Sequence, residues 1–160
     1  MKFSNDAELA KALGHKPRVL AEAEGPDGVA LIGTRTHIAV RRDGQWQTFG
    51  WHEVERGSWN GETRTFRWTS MDGEKHHATL DDEGRMPELF KERVDASTLA
   101  TQHYDLRVGD VRIVLRRALD DTAETKFYAV ASRGAKLTDP DTRALVIEET
   151  DRIRAEYGLD

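Results

Sequence analysis

Between Arg18 and Leu80 apolar and polar residues alternate with a period of two, interrupted at intervals by Gly, Pro and Asp. Such alternation predicts half-buried strands joined by turns. The first covers residues 18–24, with Val19, Ala21 and Ala23 on one face, and ends at Gly25-Pro26-Asp27-Gly28. Residues 29–34 follow as an almost wholly apolar strand, residues 36–41 alternate through Ile38 and Val40, and Asp43-Gly44 turns the chain into residues 45–49. Val54 and Trp59 mark a fifth strand. They have opposite parity, so a bulge near Gly57 is expected to bring both to one face. Residues 63–69 and 74–80 complete a set of seven strands. Ahead of them, within residues 1–16, Ser4 precedes Ala7, Leu9, Ala10 and Leu13, and Gly14 follows. This is the pattern of a short helix with a serine cap and a glycine stop.

The last hairpin has two conceivable registers. A two-residue turn at Asp72-Gly73 would set Trp68 opposite His77 and mix the faces. A three-residue loop Met71-Asp72-Gly73, with Gly73 at positive φ, pairs Trp68 with His76, Phe66 with Ala78 and Arg64 with Leu80, and is preferred because the apolar residues then share a face. In either register adjacent residues point to opposite faces, so His76 and His77 cannot hold one ion. His52-Glu53, His15, His37 and His103 fit no ligand spacing of a metal site either, and no metal or cofactor is expected.

After the strands the period lengthens. In the segment from Met86 to Thr98, Met86, Leu89, Phe90, Val94 and Ala96 fall on one arc of a helix and Glu88, Lys91, Glu92 and Asp95 on the other. Arg93 lies within the apolar arc, where a charge must find an acceptor in the fold or reach a ligand. Beyond Leu99 alternation resumes: Tyr104, Leu106 and Val108, a turn at Gly109-Asp110, then Val111, Ile113 and Leu115, and a return over residues 127–131. Thr138-Asp139-Pro140 caps a final helix with the stripe Val146, Thr150, Ile153 and Tyr157, stopped by Gly158. The expected architecture is α+β: about seven antiparallel strands capped by a helix over residues 17–99, then a three-stranded antiparallel extension and a C-terminal helix over residues 100–160.

Composition narrows the chemistry. The 160 residues include no cysteine, which removes disulfides, cysteine-ligated metals and thiol nucleophiles. No window approaches the ~18 apolar residues of a membrane helix, and a cytoplasmic protein is expected. The net charge of −5 is evenly spread, with 14 of the 24 Lys and Arg and 17 of the 29 Asp and Glu ahead of Ala100. Neither part carries the basic excess that nucleic acid or anionic lipid rewards. A local strip of Arg107, Arg112, Arg116 and Arg117 reads as a solvated strand face, and the first hairpin loop carries Glu22, Glu24 and Asp27, which would repel a phosphoinositide headgroup. No glycine-rich phosphate loop or serine elbow occurs, although Ser, His and Asp residues distant in sequence could converge into an enzyme site.

Aromatic and basic residues around the fourth and fifth strands, Trp46, Trp51, His52, Arg56 and Trp59, are therefore the candidate binding surface, with Arg93 as a further candidate. Trp and Arg are frequent interface anchors, although at least two of the four tryptophans are expected to be core. These readings favour a non-catalytic binding or protein-interaction module whose partner is another protein or a second copy of the chain.

Gly84-Arg85-Met86-Pro87-Glu88-Leu89 running into Glu92-Arg93-Val94-Asp95-Ala96-Ser97, with the closing Asp139-Pro140-Asp141-Thr142-Arg143 and Arg154-Ala155-Glu156-Tyr157-Gly158-Leu159, resembles an uncharacterised family of small actinobacterial proteins. The resemblance implies a pleckstrin-homology-like (PH-like) sheet with an additional C-terminal region, and brings no activity or ligand with it.

Overall fold

The computed structural model describes residues 1–159. It is α+β, with three antiparallel sheets and three α-helices, and divides into two units, one of residues 1–97 with 118–123, the other of residues 98–117 with 124–159.

The first unit holds two sheets. One has the order β1 (Val19–Glu24), β2 (Ala30–Thr34), β3 (His37–Arg42), β4 (Gln45–Gly50); the other has the order β5 (Val54–Asn60), β6 (Thr65–Ser70), β7 (Lys75–Thr79). All five residues of β2 are buried, because the first sheet is covered on both faces. Leu31, Ile38 and Val40 enter a main core with Trp51, Val54, Phe66 and Trp68. Ala30, Ile32 and Ala39 face a second core closed by Phe3 and Leu9. Leu9 belongs to α1 (Ala7–Leu13), whose cap is Asp6, accepting from Leu9 N at 2.9 Å, rather than the expected Ser4. Ser4 instead falls in a short 3₁₀ turn, Lys2–Asn5, that Glu22 anchors by accepting from the backbone N–H of Lys2 and Phe3 at 2.9 and 3.1 Å.

The expected hairpin register holds. Trp68 pairs with His76 and Phe66 with Ala78, and Gly73 takes φ 91° in the three-residue loop. The bulge in β5 lies between Val54 and Arg56 instead of at Gly57. It has the anticipated effect, since Val54 and Trp59 both pack on the main core. At the corner between β1 and β7, Asp81 N donates to Glu24 O at 2.8 Å, and Gly25 passes so near Thr79 that a Cβ on it would stand 1.9 Å from that carbonyl oxygen.

Helix α2 (Met86–Ser97) buries Met86, Leu89, Phe90 and Ser97. Ala96, expected on the same face, is exposed. At about 100° per residue it lies about 80° from the centre of that arc, on its flank. Leu89 packs where Gly33 has no side chain; a Cβ there would meet Leu89 Cδ2 at 2.4 Å.

The second unit is the meander β8 (Thr98–Asp105), β9 (Asp110–Arg117), β10 (Thr125–Ser132), in the order β10-β9-β8, with α3 (Pro140–Glu156). Its strand β8 ends at Asp105, so Leu106 and Val108, expected in the strand, form the turn, and Asp110 opens β9. Ile113, Leu115 and Ile153 make the core, with Leu99, Tyr104 and Phe127 packed on it. Asp139 caps α3 by accepting from Thr142 N and Oγ1, both at 3.1 Å. No helix among the described residues is long and apolar enough to cross a membrane.

Candidate binding groove

In the first unit β5 is an edge strand, and α2 lies along it. Between them runs a half-open groove of about 320 Å³, floored by Phe66, Phe90 and Val94 and rimmed by Arg56, Ser58 and Lys91. Its origin is a missing side chain. Gly57 stands where a Cβ would meet Phe90 Cζ at 2.7 Å, so the phenyl ring takes the space a residue there would fill and forms the floor. Trp51 braces that ring edge-on at 5.6 Å and Phe66 does so at 5.2 Å, which fixes the floor before anything binds. Lys91 pairs with Asp95 at 3.1 Å on the exposed side of α2. Arg56 is exposed and has no ion-pair partner among the described residues.

The structure disperses the tryptophan surface expected from sequence. Trp51 is 0 % exposed, its Nε1 donates to Thr34 O at 2.8 Å, and it packs in the main core. Trp68 is core as well, stacked on His76 with ring centroids 5.3 Å apart. Trp46 is half-buried in the second core, edge-on to Phe3 and beneath the Arg41 guanidinium, and Trp59 packs half-buried on the main core. His52 lies against Gly50, and its Nδ1 is buried without a hydrogen bond among the described residues. Of the expected set only Arg56 lines the groove. Arg93 is 17 % exposed; its Nη2 pairs with Glu92 at 2.8 Å and its Nη1 donates to Arg35 O at 3.4 Å, while its Nε is buried without a hydrogen bond among the described residues. The groove was foreshadowed by a glycine inside a strand beside an arginine, Gly57 next to Arg56, together with Phe90 and Val94 on the helix arc.

Histidines do gather at one end of the first unit. The rings of His15 and His37 are 6.4 Å apart, and His37 feels the fields of His52, Glu53 and Asp120. Burial, aided by the like charges of His15 and His52, holds the His37 pKa below the usual imidazole range, against the pull of Asp120 and Glu53. Among the described residues no group of three His, Asp or Glu side chains is arranged to hold a metal ion. His76 and His77 take opposite faces of β7, the first half-buried and bonded to Ser70 Oγ at 2.9 Å, the second exposed.

Ser, His and Asp also converge, in the second unit. Asp110, 5 % exposed, accepts from His103 Nε2 at 2.5 Å, Ser132 Oγ at 3.0 Å and Arg133 Nε at 2.9 Å. A Ser-His-Asp relay has the serine bonded to the histidine; here the carboxylate lies between them, and Ser132 Oγ donates to Asp110 rather than to His103. These donors hold the Asp110 pKa at about 2, with His103 the largest cause and Arg133 next. The supposed arginine strip does not form one exposed surface, since Arg116 is 4 % exposed, Arg112 is half-buried and Arg107 lies in the turn. In the first hairpin, Glu22 is engaged by the N-terminal turn and Glu24 by Lys2 at 2.8 Å.

No family model, curated protein or solved structure matches this chain.

Proposed function

We propose that the first unit is a PH-like, non-catalytic protein-interaction module that receives a partner polypeptide in the groove between β5 and α2, and that the chain belongs with the small actinobacterial proteins it resembles. Four strands facing three, followed directly by a helix, support the PH-like reading. The single observation that carries the function is an apolar floor beside an edge strand with a cation at its rim, Arg56, that has no ion-pair partner among the described residues. At about 320 Å³ the groove is at the small end of the ~300–1,000 Å³ typical of small-molecule sites and is half-open, which suits side chains of a polypeptide better than a cofactor.

The test is site-specific photocrosslinking in the native host, with a benzophenone residue at Ser58 or Lys91 and, as control, at the exposed Ile147 of α3. The same partner polypeptide should be captured from both groove positions, not from the control, and be lost when Arg56→Glu is added. Capture at Ile147 alone, or at no position, would sink the reading.

A further inference from the structure

The second unit holds a larger cleft, of about 610 Å³, at one end of its meander. It lies between the turn from β8 to β9, the loop after β10 and the first turns of α3. Its cause is a helix that stands off its sheet: of the 17 residues of α3 only Thr142 and Ile153 are buried, and none between them is. A helix draws most of its stability from packing an apolar face, yet Leu145, which lines the cleft, is only half-buried. The facing wall carries Leu106, Val108 and Ala135, with Val108 62 % exposed at the tip of the turn.

That wall is fixed before anything binds. Gly109, at φ 72°, lies so near the loop after β10 that a Cβ on it would stand 2.3 Å from Ser132 O, and Asp110 accepts from Ser132 and Arg133 on the same loop. The charges around the cleft are unevenly satisfied. Asp105 pairs with Arg133 at 3.6 Å and Asp139 accepts from Thr142, whereas Arg107 and Lys136 have no ion-pair partner among the described residues. Asp141, exposed on the first turn of α3, has none either. Two loop cations against one helix carboxylate favour an anion held on the loop side, and an aliphatic lining without an aromatic ring suits a hydrocarbon chain.

We propose that this cleft binds a small aliphatic carboxylate, its chain lying along Leu106, Val108, Ala135 and Leu145 and its carboxylate held by Arg107 and Lys136. The chain supplies the apolar contact that the start of α3 lacks, and charged donors make the stronger hydrogen bonds to a carboxylate. The volume falls within the ~300–1,000 Å³ of small-molecule sites.

The probe is octanoate, titrated into the full chain and followed by amide chemical shift, with octan-1-ol and octylammonium as neutral and cationic counterparts. Octanoate should saturate with half-occupancy near or below about 1 mM, shift residues 105–109 and 134–146, and slow amide exchange in the first turns of α3. The counterparts should bind at least about fivefold more weakly. Arg107→Ala and Lys136→Ala change exposed side chains; each should weaken octanoate about fivefold without altering thermal unfolding of the free chain, and Val108→Asp should abolish its binding. Equal binding of octan-1-ol or octylammonium, affinity unchanged in the Arg107 and Lys136 variants, shifts confined to other residues, or no saturation would each overturn the inference. None of these outcomes bears on the groove of the first unit, which the crosslinking decides.

Discussion

Trp51 and Thr34, 17 positions apart in sequence, are joined by a buried hydrogen bond of 2.8 Å from the indole Nε1 to the Thr34 carbonyl. The bond ties the turn after β4 to the end of β2 and holds the indole edge-on to Phe90, the floor of the groove. Trp68, equally buried, has no hydrogen-bond partner for its Nε1 among the described residues. Trp51→Phe strands a buried carbonyl, whereas Trp68→Phe removes an orphaned donor. The first substitution should therefore cost about 1–3 kcal/mol more than the second, although both lose similar ring area. Urea unfolding of the two variants measures the difference, and equal or reversed losses would contradict it.

Gly25 and Gly28 flank the same turn but differ in what surrounds them. A Cβ at Gly25 would stand 1.9 Å from a backbone oxygen of β7, which cannot rotate away, while Gly28, at φ 76°, has open space. Gly25→Ala should force β1 and β7 apart and cost about 3 kcal/mol or more. Gly28→Ala should cost only the about 1–2 kcal/mol of a left-handed backbone. Thermal unfolding of the pair gives the ranking directly.

Much of this fold is legible from alternation alone, because each strand of the first unit has a buried face and a slip of one residue would expose it. The Met71–Gly73 loop register follows from that constraint. Alternation fails where local chemistry overrides it. Leu106 and Val108 continue the period of β8, yet the carboxylate of Asp110, held by His103, Ser132 and Arg133, fixes the first residue of β9 and leaves the preceding four to turn. The tryptophans were opaque for another reason: composition counts aromatic rings but does not say that Trp51 has a buried acceptor within reach. A groove made by the absence of a side chain at Gly57 leaves only a weak mark in any residue pattern.

His37 makes the first unit sensitive to mild acid. Its folded pKa lies below the unfolded value of 6.5, with burial the largest cause, His15 and His52 opposing its charge and Asp120 and Glu53 favouring it. The unfolded chain therefore binds the proton more readily. Stability should be level above pH 6.5 and decline as pH falls through the folded pKa. His37→Gln should flatten that decline in a pH series of urea midpoints, while an unchanged slope would assign it to other groups.

Asp110 acts at a lower pH in the second unit, and with the same sign. Its folded pKa of about 2 lies below the ordinary 3.8, because His103 and Arg133 donate to the ionised form and outweigh the opposing effect of burial. The unfolded state takes up the proton first as pH falls, so the contribution is complete above 3.8 and disappears as pH approaches 2. Asp110→Asn should remove this dependence and also loosen the β8–β9 turn, since a neutral amide cannot accept from His103, Ser132 and Arg133 with the strength of a carboxylate. Amide exchange at residues 105–111 reads out the turn: faster exchange in the variant at pH 7, converging with the wild type near pH 2, is the expected pattern. Protection in the variant equal to wild type at pH 7 would mean that backbone pairing, not the carboxylate, holds this end of the meander.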